Sequence, residues 1–265
     1  MRDQQEFKPK PKNWKVLLGI PMLMGALVFP GSAVFAVDES PSPSASPSSS
    51  ASPSVSPSPE VSILPITEGT TRIPLYDIDS AKSLQVVVNK QRPLNPIDYV
   101  PRGKVIIGGW YVAKPAAVAY SQLKEAVSAK KLGTLCINSG FRDYKKQLQT
   151  HDAKVALLGK KRGEELAARP GHSEHQTGLA MDVSTTQLGC RIGAFGSSKA
   201  SKWIAANAWQ YGFIVRYPYG KTAKTGYVWE PWHLRYVGVE LATDMKANKI
   251  TTLEEYFELP PAPEY

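Results

Sequence analysis

The stretch GHSEHQTGLAMDVS, residues 171–184, places an imidazole and a carboxylate on a segment that is otherwise small and largely apolar. Its second half, GLAMDV (178–183), has the length and composition of a short strand, and side chains of one parity share a face of a strand. Small residues on that face leave space in front of Asp182, and a turn before the strand can bring His175 back over it. One imidazole and one carboxylate are two of the three protein ligands of a catalytic zinc site.

The third ligand is predicted in WEPWHLRY, residues 229–236, where a second histidine follows a glutamate by three positions. Residues three apart face opposite sides of a flat strand, so Glu230 and His233 can reach one centre only if the chain turns or bulges. Pro231 lies between them and favours such an irregularity. A carboxylate beside the ion can accept a proton from the activated water and pass it to a leaving amine. We therefore predict His233 as the ligand and Glu230 as the base.

His172 is a rival ligand, because it precedes His175 by only three residues. It stands in PGHS (170–173), which has the composition of a turn, and we expect it to support the site from behind the ligands. A lone exposed histidine, or a lone aspartate on a strand, usually has no catalytic role. The metal-site hypothesis therefore depends on the two motifs together.

The pattern of apolar residues around these motifs predicts an α+β domain, because helices and short strands mix without a regular βαβ rhythm. KQRPLNPIDYVP, residues 90–101, carries three prolines and predicts an ordered loop. Asp143 is a candidate helix N-cap, and Gly159 is a candidate stop for the same helix. The predicted strands cover 84–89, 134–138, 178–183 and 213–218, and the predicted helices cover 115–131, 143–158, 197–212 and 239–258.

The first residues have the pattern of an exported protein. Five basic residues precede the apolar run VLLGIPMLMGALVF (16–29), and in the AVFA that follows at 33–36, Val34 and Ala36 are small enough for a signal-peptidase site. The run is shorter than the roughly 20 residues that span a bilayer. The pattern indicates a signal peptide cleaved after Ala36, or else an uncleaved membrane anchor. In either case we expect the rest of the chain outside the cytoplasm, with membrane contact only through an uncleaved N-terminal segment.

A tract rich in serine and proline, SPSPSASPSSSASPSVSPSP (40–59), follows the leader. It contains too little apolar surface to offset the entropy of ordering, and it predicts an extended spacer. The predicted organisation is a signal peptide or membrane anchor over 1–36, a disordered linker over 37–69, a catalytic domain over 70–259 and a tail over 260–265.

Composition limits the partners of the domain. The net charge of the whole chain is +9, and it is +6 without residues 1–36; this mildly basic balance suits an anionic polymer or surface, although solubility alone also explains it. The sequence has no dense block of lysine and arginine and no nucleic-acid-binding motif, so no nucleic-acid partner is predicted. Cys136 and Cys190 form an even pair, which in an exported protein is a disulfide candidate, the alternative being two buried thiols. A monomer is the default expectation.

Several further stretches occur in a fixed order along the chain. They are SGFRDYKKQ (139–147), ARPGHSEHQTGLAMDVS (168–184), YGFIVRYP (211–218) and TGYVWEPWHLRYVG (225–238), with VNKQRPLNPIDYVP (88–101) and TLEEYF (252–257) in support. Over roughly residues 84–258 this set resembles the D-alanyl-D-alanine carboxypeptidases of the VanY type. The resemblance implies a zinc peptidase that acts on the peptidoglycan stem peptides of bacterial cell walls. It also implies the hedgehog/DD-peptidase-like fold, in which helices flank a small mixed or antiparallel sheet.

The resemblance implies a role for each predicted residue, with one Zn²⁺ per chain and removal of a C-terminal D-alanine. An arginine suits recognition of a free carboxylate, because its planar guanidinium makes two parallel charge-assisted hydrogen bonds. Phe141 stands where tyrosine is commoner in the family, which we expect to matter little. By position, the zinc ligands are His175, Asp182 and His233, the base is Glu230, Arg142 binds the terminal carboxylate, and Gln147 and Ser173 help to hold the peptide.

Three other functions remain open. The same scaffold resembles L,D-carboxypeptidases, D,D-dipeptidases and endopeptidases of stem peptides, although Arg142 favours removal of a single terminal residue. A degenerate domain would bind wall peptides without cutting them, which the complete set of ligands, base and arginine disfavours. A serine D,D-peptidase requires S-x-x-K, S-x-N and K-T-G. The first occurs at 128–131 and the third at 224–226, but the sequence contains no S-x-N or Y-x-N.

Overall fold

The computed structural model describes residues 76–265. The predicted leader, the predicted linker and the first residues of the predicted domain lie outside this range and remain predictions. Within residues 76–265 the elements are β1 (Lys104–Ile107), β2 (Trp110–Ala113), α1 (Lys114–Ala129), β3 (Leu135–Ser139), α2 (Tyr144–Leu158), α3 (Lys160–Glu164), β4 (Ala180–Thr185), α4 (Lys199–Asn207), β5 (Phe213–Tyr217), α5 (Thr222–Thr225), β6 (Glu230–Tyr236), α6 (Val239–Ala247) and α7 (Leu253–Tyr256). Four 3₁₀ turns in the same range lie at Glu174–Thr177, Thr186–Leu188, Ile192–Ser197 and Ala208–Tyr211.

The described strands form a four-stranded antiparallel sheet, in the order β3-β4-β6-β5, and a separate hairpin of β1 and β2. The main hydrophobic core includes one face of α1 and the buried residues of the sheet, among them Leu123, Val127, Met181, Val183 and Leu234. The predicted α+β class, with a small antiparallel sheet flanked by helices, is confirmed.

The strand predicted over 84–89 is wrong. The segment is irregular, although its three valines are buried. The carbonyl groups of Leu84 and Val86 accept hydrogen bonds from the guanidinium of Arg235, where a strand would pair with a neighbouring strand. The β-branched residues therefore serve packing alone, since β-propensity measures fit to a buried surface more than a backbone preference.

The hairpin of β1 and β2 is missing from the predicted elements, although the sequence carries its signal. Gly108 and Gly109 join the two strands with φ angles of 58° and 83°. Positive φ at both central positions is characteristic of a two-residue type I′ turn, in which Gly-Gly is favoured. The stretch KVIIGGWYVA (104–113) could therefore have been recognised as a hairpin.

The predicted helix boundaries are most accurate where a cap residue is present. Asp143 caps α2 by accepting a hydrogen bond from the backbone N–H of Lys146, and the helix ends at Gly159 as predicted. The helix predicted over 197–212 is divided into α4 and the 3₁₀ turn Ala208–Tyr211. Of the helices in the described range, none combines the length and the apolar composition that crossing a bilayer requires.

Two long-range contacts join distant parts of the chain. A disulfide links Cys136 in β3 to Cys190 after β4, with a Cα–Cα distance of 5.7 Å. Residues 260–265, which the sequence predicts as a tail, pack against the domain. Ala262 is fully buried, and its N–H donates a hydrogen bond to the carbonyl of Lys224.

Candidate active site

The three predicted metal ligands converge on one point. His175 lies on the 3₁₀ turn Glu174–Thr177, and Asp182 of β4 is the register partner of His233 in β6. Asp182 Oδ2 lies 3.4 Å from His175 Nε2, and Asp182 Oδ1 lies 3.4 Å from His233 Nδ1. Each residue offers one donor atom, and these three atoms lie within 4.8 Å of one another.

A left-handed glycine brings His175 back over the strand. Gly178 ends the 3₁₀ turn with φ at 71°, and its carbonyl accepts a hydrogen bond of 2.9 Å from the N–H of Ala113. A Cβ at position 178 would lie 3.1 Å from that nitrogen, so both the conformation and the space favour glycine. The strand therefore begins at Ala180, two residues later than predicted, and the turn predicted before it is present.

Strand β6 bulges between the predicted base and the predicted ligand. Glu230 pairs with Tyr217, and Leu234 pairs with Val215, so an interval of four residues in β6 faces an interval of two in β5. Such a bulge can turn Glu230 and His233 toward the same side. Glu230 Oε2 lies 3.7 Å from His233 Nδ1. The irregularity predicted for this segment is confirmed.

The second nitrogen of each imidazole has its own partner, which sets the nitrogen that faces Asp182. His175 Nδ1 donates to the carbonyl of Gly140 at 2.7 Å, which leaves Nε2 without a proton. His233 Nε2 donates to Glu174 Oε2 at 3.3 Å, so Nδ1 is the nitrogen that a metal would bind once its proton is displaced. Hydrogen bonds of this kind orient ligating histidines and raise their basicity. His175 Nε2 and His233 Nδ1 both face Asp182, as a shared metal requires.

Glu174 supports the site from behind His233, and the sequence did not predict it. Its carboxylate is fully buried and accepts hydrogen bonds from Arg216 Nε at 2.8 Å and from Arg235 Nη1 at 2.7 Å. Arg216 also donates two hydrogen bonds to Glu254, at 2.9 and 2.7 Å. Burial would raise the pKa of Glu174, but the two guanidiniums hold it well below its usual range, so Glu174 stays ionised beside His233.

The available signal for this network was the presence of arginines inside apolar strands. Arg216 and Arg235 interrupt FIVRY and EPWHLRY, and both side chains are fully buried. A buried guanidinium needs a carboxylate partner, because an unpaired charge inside a protein is costly. The sequence therefore implied buried acids near these strands, but the chain contains too many glutamates for the pattern to select Glu174.

The converging side chains fit a zinc ion. Asp182 Oδ1 is buried and makes no hydrogen bond within the described part of the chain. Two imidazole nitrogens and one carboxylate are a donor set typical of catalytic zinc. Burial lowers the pKa of His175 to about 4, so its lone pair is available for coordination. Burial would also lower the pKa of His233, but the adjacent carboxylates of Asp182 and Glu174 raise it to about 9, so without a metal this imidazole holds a proton that a bound cation would replace.

Glu230 is buried beside the cluster in surroundings that favour its protonated form. Its exposed fraction is 8%, and burial, together with the charge of Asp182, raises its pKa to about 8, against the opposing effects of His233 and Arg142. A carboxyl group that exchanges a proton near neutral pH is suited to act as a general base and then as a general acid.

Arg142 lies on the other side of Asp182, directly after β3. Its Nη1 donates to Ser139 Oγ at 2.6 Å and lies 3.8 Å from Asp182 Oδ2, while its Nε donates to Gln147 Oε1 at 2.9 Å. Gln147 is fully buried, and its Nε2 donates to the carbonyl of Ala168 at 2.7 Å. Gln147, predicted to hold the peptide, is thus engaged at both ends with the protein and orients Arg142.

The donor cluster opens into a cleft with a volume of about 240 Å³. The lining includes the three donors, Glu230, Arg142 and Ser173, and it also includes three aromatic residues: Tyr217, Tyr227 and Trp232. Ser173 thus lies in the cleft, and its contact with the peptide stays a prediction. His172 is outside the donor cluster, and its Nδ1 donates to the carbonyl of Asn89 at 2.9 Å.

Comparisons with known proteins agree with this geometry. The family model described as "VanY: D-alanyl-D-alanine carboxypeptidase" matches residues 109–239, which contain the three donors, Glu230 and Arg142. Over 196 residues the chain is 43% identical to "Putative carboxypeptidase YodJ" of Bacillus subtilis (strain 168), a match that covers 69% of this chain and 70% of that protein.

Two solved structures of similar proteins share the fold. The LdcB LD-carboxypeptidase is 41% identical, with a TM-score of 0.62, and the match covers 67% of this chain and 87% of that one. The vancomycin resistance D,D-pentapeptidase VanY, in complex with Zn(II), is 32% identical, with a TM-score of 0.56, and the match covers 64% of this chain and 97% of that one.

Proposed function

Because this chain belongs to the VanY family of D-alanyl-D-alanine carboxypeptidases, we propose that it removes the terminal D-alanine from peptidoglycan stem peptides that end in D-alanyl-D-alanine. It is a zinc metallopeptidase, and the His/Asp/His cluster provides for one zinc per chain. One observation carries the proposal: a buried carboxyl group and a fixed guanidinium flank the donor cluster in the same cleft. A peptidase that releases a single C-terminal residue needs both groups.

In the proposed reaction, Glu230 moves the protons. Zinc bound to the cluster would polarise the scissile carbonyl and make the attacking water more acidic. Glu230 accepts a proton from that water as the new carbon–oxygen bond forms. It then delivers the proton to the amide nitrogen as the carbon–nitrogen bond breaks, so that D-alanine leaves as an amine and Glu230 returns to its ionised form.

Arg142 selects the substrate end in this proposal. Its guanidinium lies beside Asp182 and is held by Ser139 and Gln147, so it is oriented before a substrate arrives. A free terminal carboxylate is the group that a planar guanidinium binds best. The enzyme therefore prefers a free C-terminus over an amidated one.

The proposal is tested by Arg142→Ala, assayed on a peptide ending in D-alanyl-D-alanine and on its C-terminal amide. Loss of hydrogen bonds to a charged group should raise KM for the free acid on the order of ten- to a hundredfold. The preference for the free acid should disappear, while zinc content stays unchanged. Arg162→Ala, at an exposed arginine, is the matched control. A variant that keeps the wild-type preference would contradict the role of Arg142.

A second candidate is removal of the last residue of a tetrapeptide stem by L,D-cleavage. The similarity to the LdcB LD-carboxypeptidase favours it, since the donor cluster and the carboxylate recognition would be the same. Incubation with pentapeptide and tetrapeptide stems, with released D-alanine measured by mass spectrometry, separates the two activities. Binding without release of alanine from either stem would instead indicate a non-catalytic wall-peptide-binding module.

We also propose that the enzyme works outside the cytoplasm, as a monomer, because its substrate class is found in the wall. Residues 1–36 would act as a signal peptide or membrane anchor, and the Ser/Pro-rich linker would give the domain reach. Fractionation of cells that express the full chain, followed by N-terminal sequencing, tests the location. Enzyme found only in the cytoplasm would contradict it.

A further inference from the structure

The last residues of the chain pack beside the cleft. Lys90 Nζ donates to the carbonyl of Pro263 at 3.0 Å, in addition to the backbone hydrogen bond of Ala262. The aromatic ring of Tyr265 lies 4.0 Å from the guanidinium carbon of Arg169 and meets the ring of His172 edge-on, with centroids 5.0 Å apart. The segment is therefore held on several sides and presents Tyr265 to the stretch that precedes Ser173.

One peptide group connects Tyr265 to the carboxylate-binding arginine. The N–H of Arg169 donates to the Tyr265 hydroxyl at 2.6 Å. The carbonyl of Ala168, which belongs to the same peptide group, accepts from Gln147 Nε2 at 2.7 Å. Gln147 Oε1 in turn accepts from Arg142 Nε at 2.9 Å. The N–H and the carbonyl of a trans peptide point in opposite directions, so this planar unit is held from both sides.

A second contact leads from Tyr265 to the cleft. The Tyr265 hydroxyl, which accepts the hydrogen bond from the N–H of Arg169, also lies 3.3 Å from the hydroxyl of Tyr227. Tyr227 lines the cleft. A single phenol oxygen therefore joins the backbone that supports Gln147 to a side chain of the cleft wall.

We propose that Tyr265 is a positioning residue for Arg142, acting through the Ala168–Arg169 peptide group and Gln147. Without its hydroxyl, the part-buried N–H of Arg169 loses its acceptor and the peptide group gains freedom to rotate. The amide of Gln147 then no longer has a fixed partner, and the guanidinium of Arg142 loses its fixed direction. This inference rests on the proposed recognition of a terminal carboxylate by Arg142.

The test is Tyr265→Phe, which removes one hydroxyl and leaves the ring against Arg169 and His172. For a peptide ending in D-alanyl-D-alanine we expect KM to rise about fivefold, the change typical of one neutral hydrogen bond, with kcat within about twofold of wild type. Zinc content and Tm should not change. Tyr219→Phe, at a tyrosine that is 83% exposed, is the matched control and should match wild type throughout.

Combination with Arg142→Ala shows whether the effect passes through the arginine. If Tyr265 acts by positioning Arg142, Tyr265→Phe adds no further rise in KM to Arg142→Ala. An equal rise in both backgrounds, or a fall in Tm with kcat and KM changing together, would overturn the inference and leave the proposed function intact. If Arg142→Ala itself keeps the preference for the free acid, the proposed role of Arg142 fails, and the inference fails with it.

Discussion

Two groups of buried charge meet at His233, and they differ in how their charges are balanced. The front cluster faces the cleft and consists of His175, Asp182, His233 and Glu230. The back cluster lies behind it and consists of Glu174, Arg216, Arg235 and Glu254. The two clusters share one hydrogen bond, from His233 to Glu174.

The back cluster is complete by itself, because each of its carboxylates is matched by a guanidinium at 2.7–2.9 Å. The front cluster is not complete, because Asp182 Oδ1 has no hydrogen-bond partner among the described residues and Glu230 is held near neutral pH in its protonated form. Buried charge that is fully paired supports the fold, whereas a buried carboxylate oxygen without a hydrogen-bond partner, beside groups with shifted pKa values, marks a binding site. The back cluster is therefore structural and the front cluster functional.

Removal of the metal should give the largest difference between the two clusters, because only the front cluster binds the ion. After dialysis against a chelator, hydrolysis of a D-alanyl-D-alanine peptide should be lost, and stoichiometric Zn²⁺ should restore it. The far-UV circular dichroism spectrum should remain that of the folded enzyme, because the back cluster does not depend on the ion. Undiminished hydrolysis by metal-free protein would remove the basis for the front cluster as a zinc site.

Glu230→Gln separates proton transfer from metal binding. The amide cannot accept the water proton, so kcat should fall by about 10²- to 10⁴-fold, the usual contribution of a general base. Zinc content should stay at one ion per chain, since the three donors are unchanged. Glu125→Gln, at an exposed position of α1, is the matched control. Near-wild-type turnover by Glu230→Gln would mean that another group moves the proton.

Neutralising one carboxylate in each cluster compares the two directly. Glu174→Gln leaves two buried guanidiniums with too few partners and should destabilise the fold by about 3–5 kcal/mol, with a tenfold to hundredfold loss of zinc affinity. Asp182→Asn should bind no zinc, yet its stability should equal or exceed that of the metal-free wild type. Thermal melts and metal analysis check both variants. Equal destabilisation by the two changes would show that the clusters do not differ as argued.

The sequence predicted the front cluster well, because its residues lie in short motifs with a geometric meaning. The seven-residue spacing of His175 and Asp182 required only one turn and one strand, and Pro231 between Glu230 and His233 implied the bulge. Local chemistry was sufficient to predict these contacts. The family resemblance then supplied Arg142, which no spacing could connect to the other residues.

The back cluster was not predicted, because it depends on contacts between residues far apart in the chain. Glu174 and Glu254 are brought together by Arg216, which lies on a third element. The same reason explains the wrong strand at 84–89, whose carbonyls are bound by Arg235 from β6. Pairings of this kind are set by the tertiary fold; local patterning indicates that the buried arginines need acidic partners but does not select those partners.

The smallest expected effect concerns the stability of the metal-free protein. We expect the front cluster and the back cluster to change this stability in opposite directions as pH rises. Burial raises the pKa of Glu230 from 4.5 to about 8, so the folded state keeps a proton that the unfolded chain releases, and this carboxyl lowers stability as pH rises through that interval. Burial would also raise the pKa of Glu254, but Arg216 lowers it, so this carboxylate lowers stability as pH falls below about 4.5.

Glu230→Gln removes the loss of stability that accompanies ionisation of residue 230, and it keeps the loss of stability in acid that comes from Glu254. In thermal melts from about pH 3 to about pH 9, the metal-free variant should match metal-free wild type in acid, where Glu230 is protonated in both the folded and unfolded states. Its Tm should exceed that of wild type increasingly above about pH 5, and both proteins should lose stability in acid as the back cluster takes up protons. Parallel curves across the whole range would show that Glu230 titrates normally, and the front cluster would then differ from the back cluster only in its missing partner for Asp182.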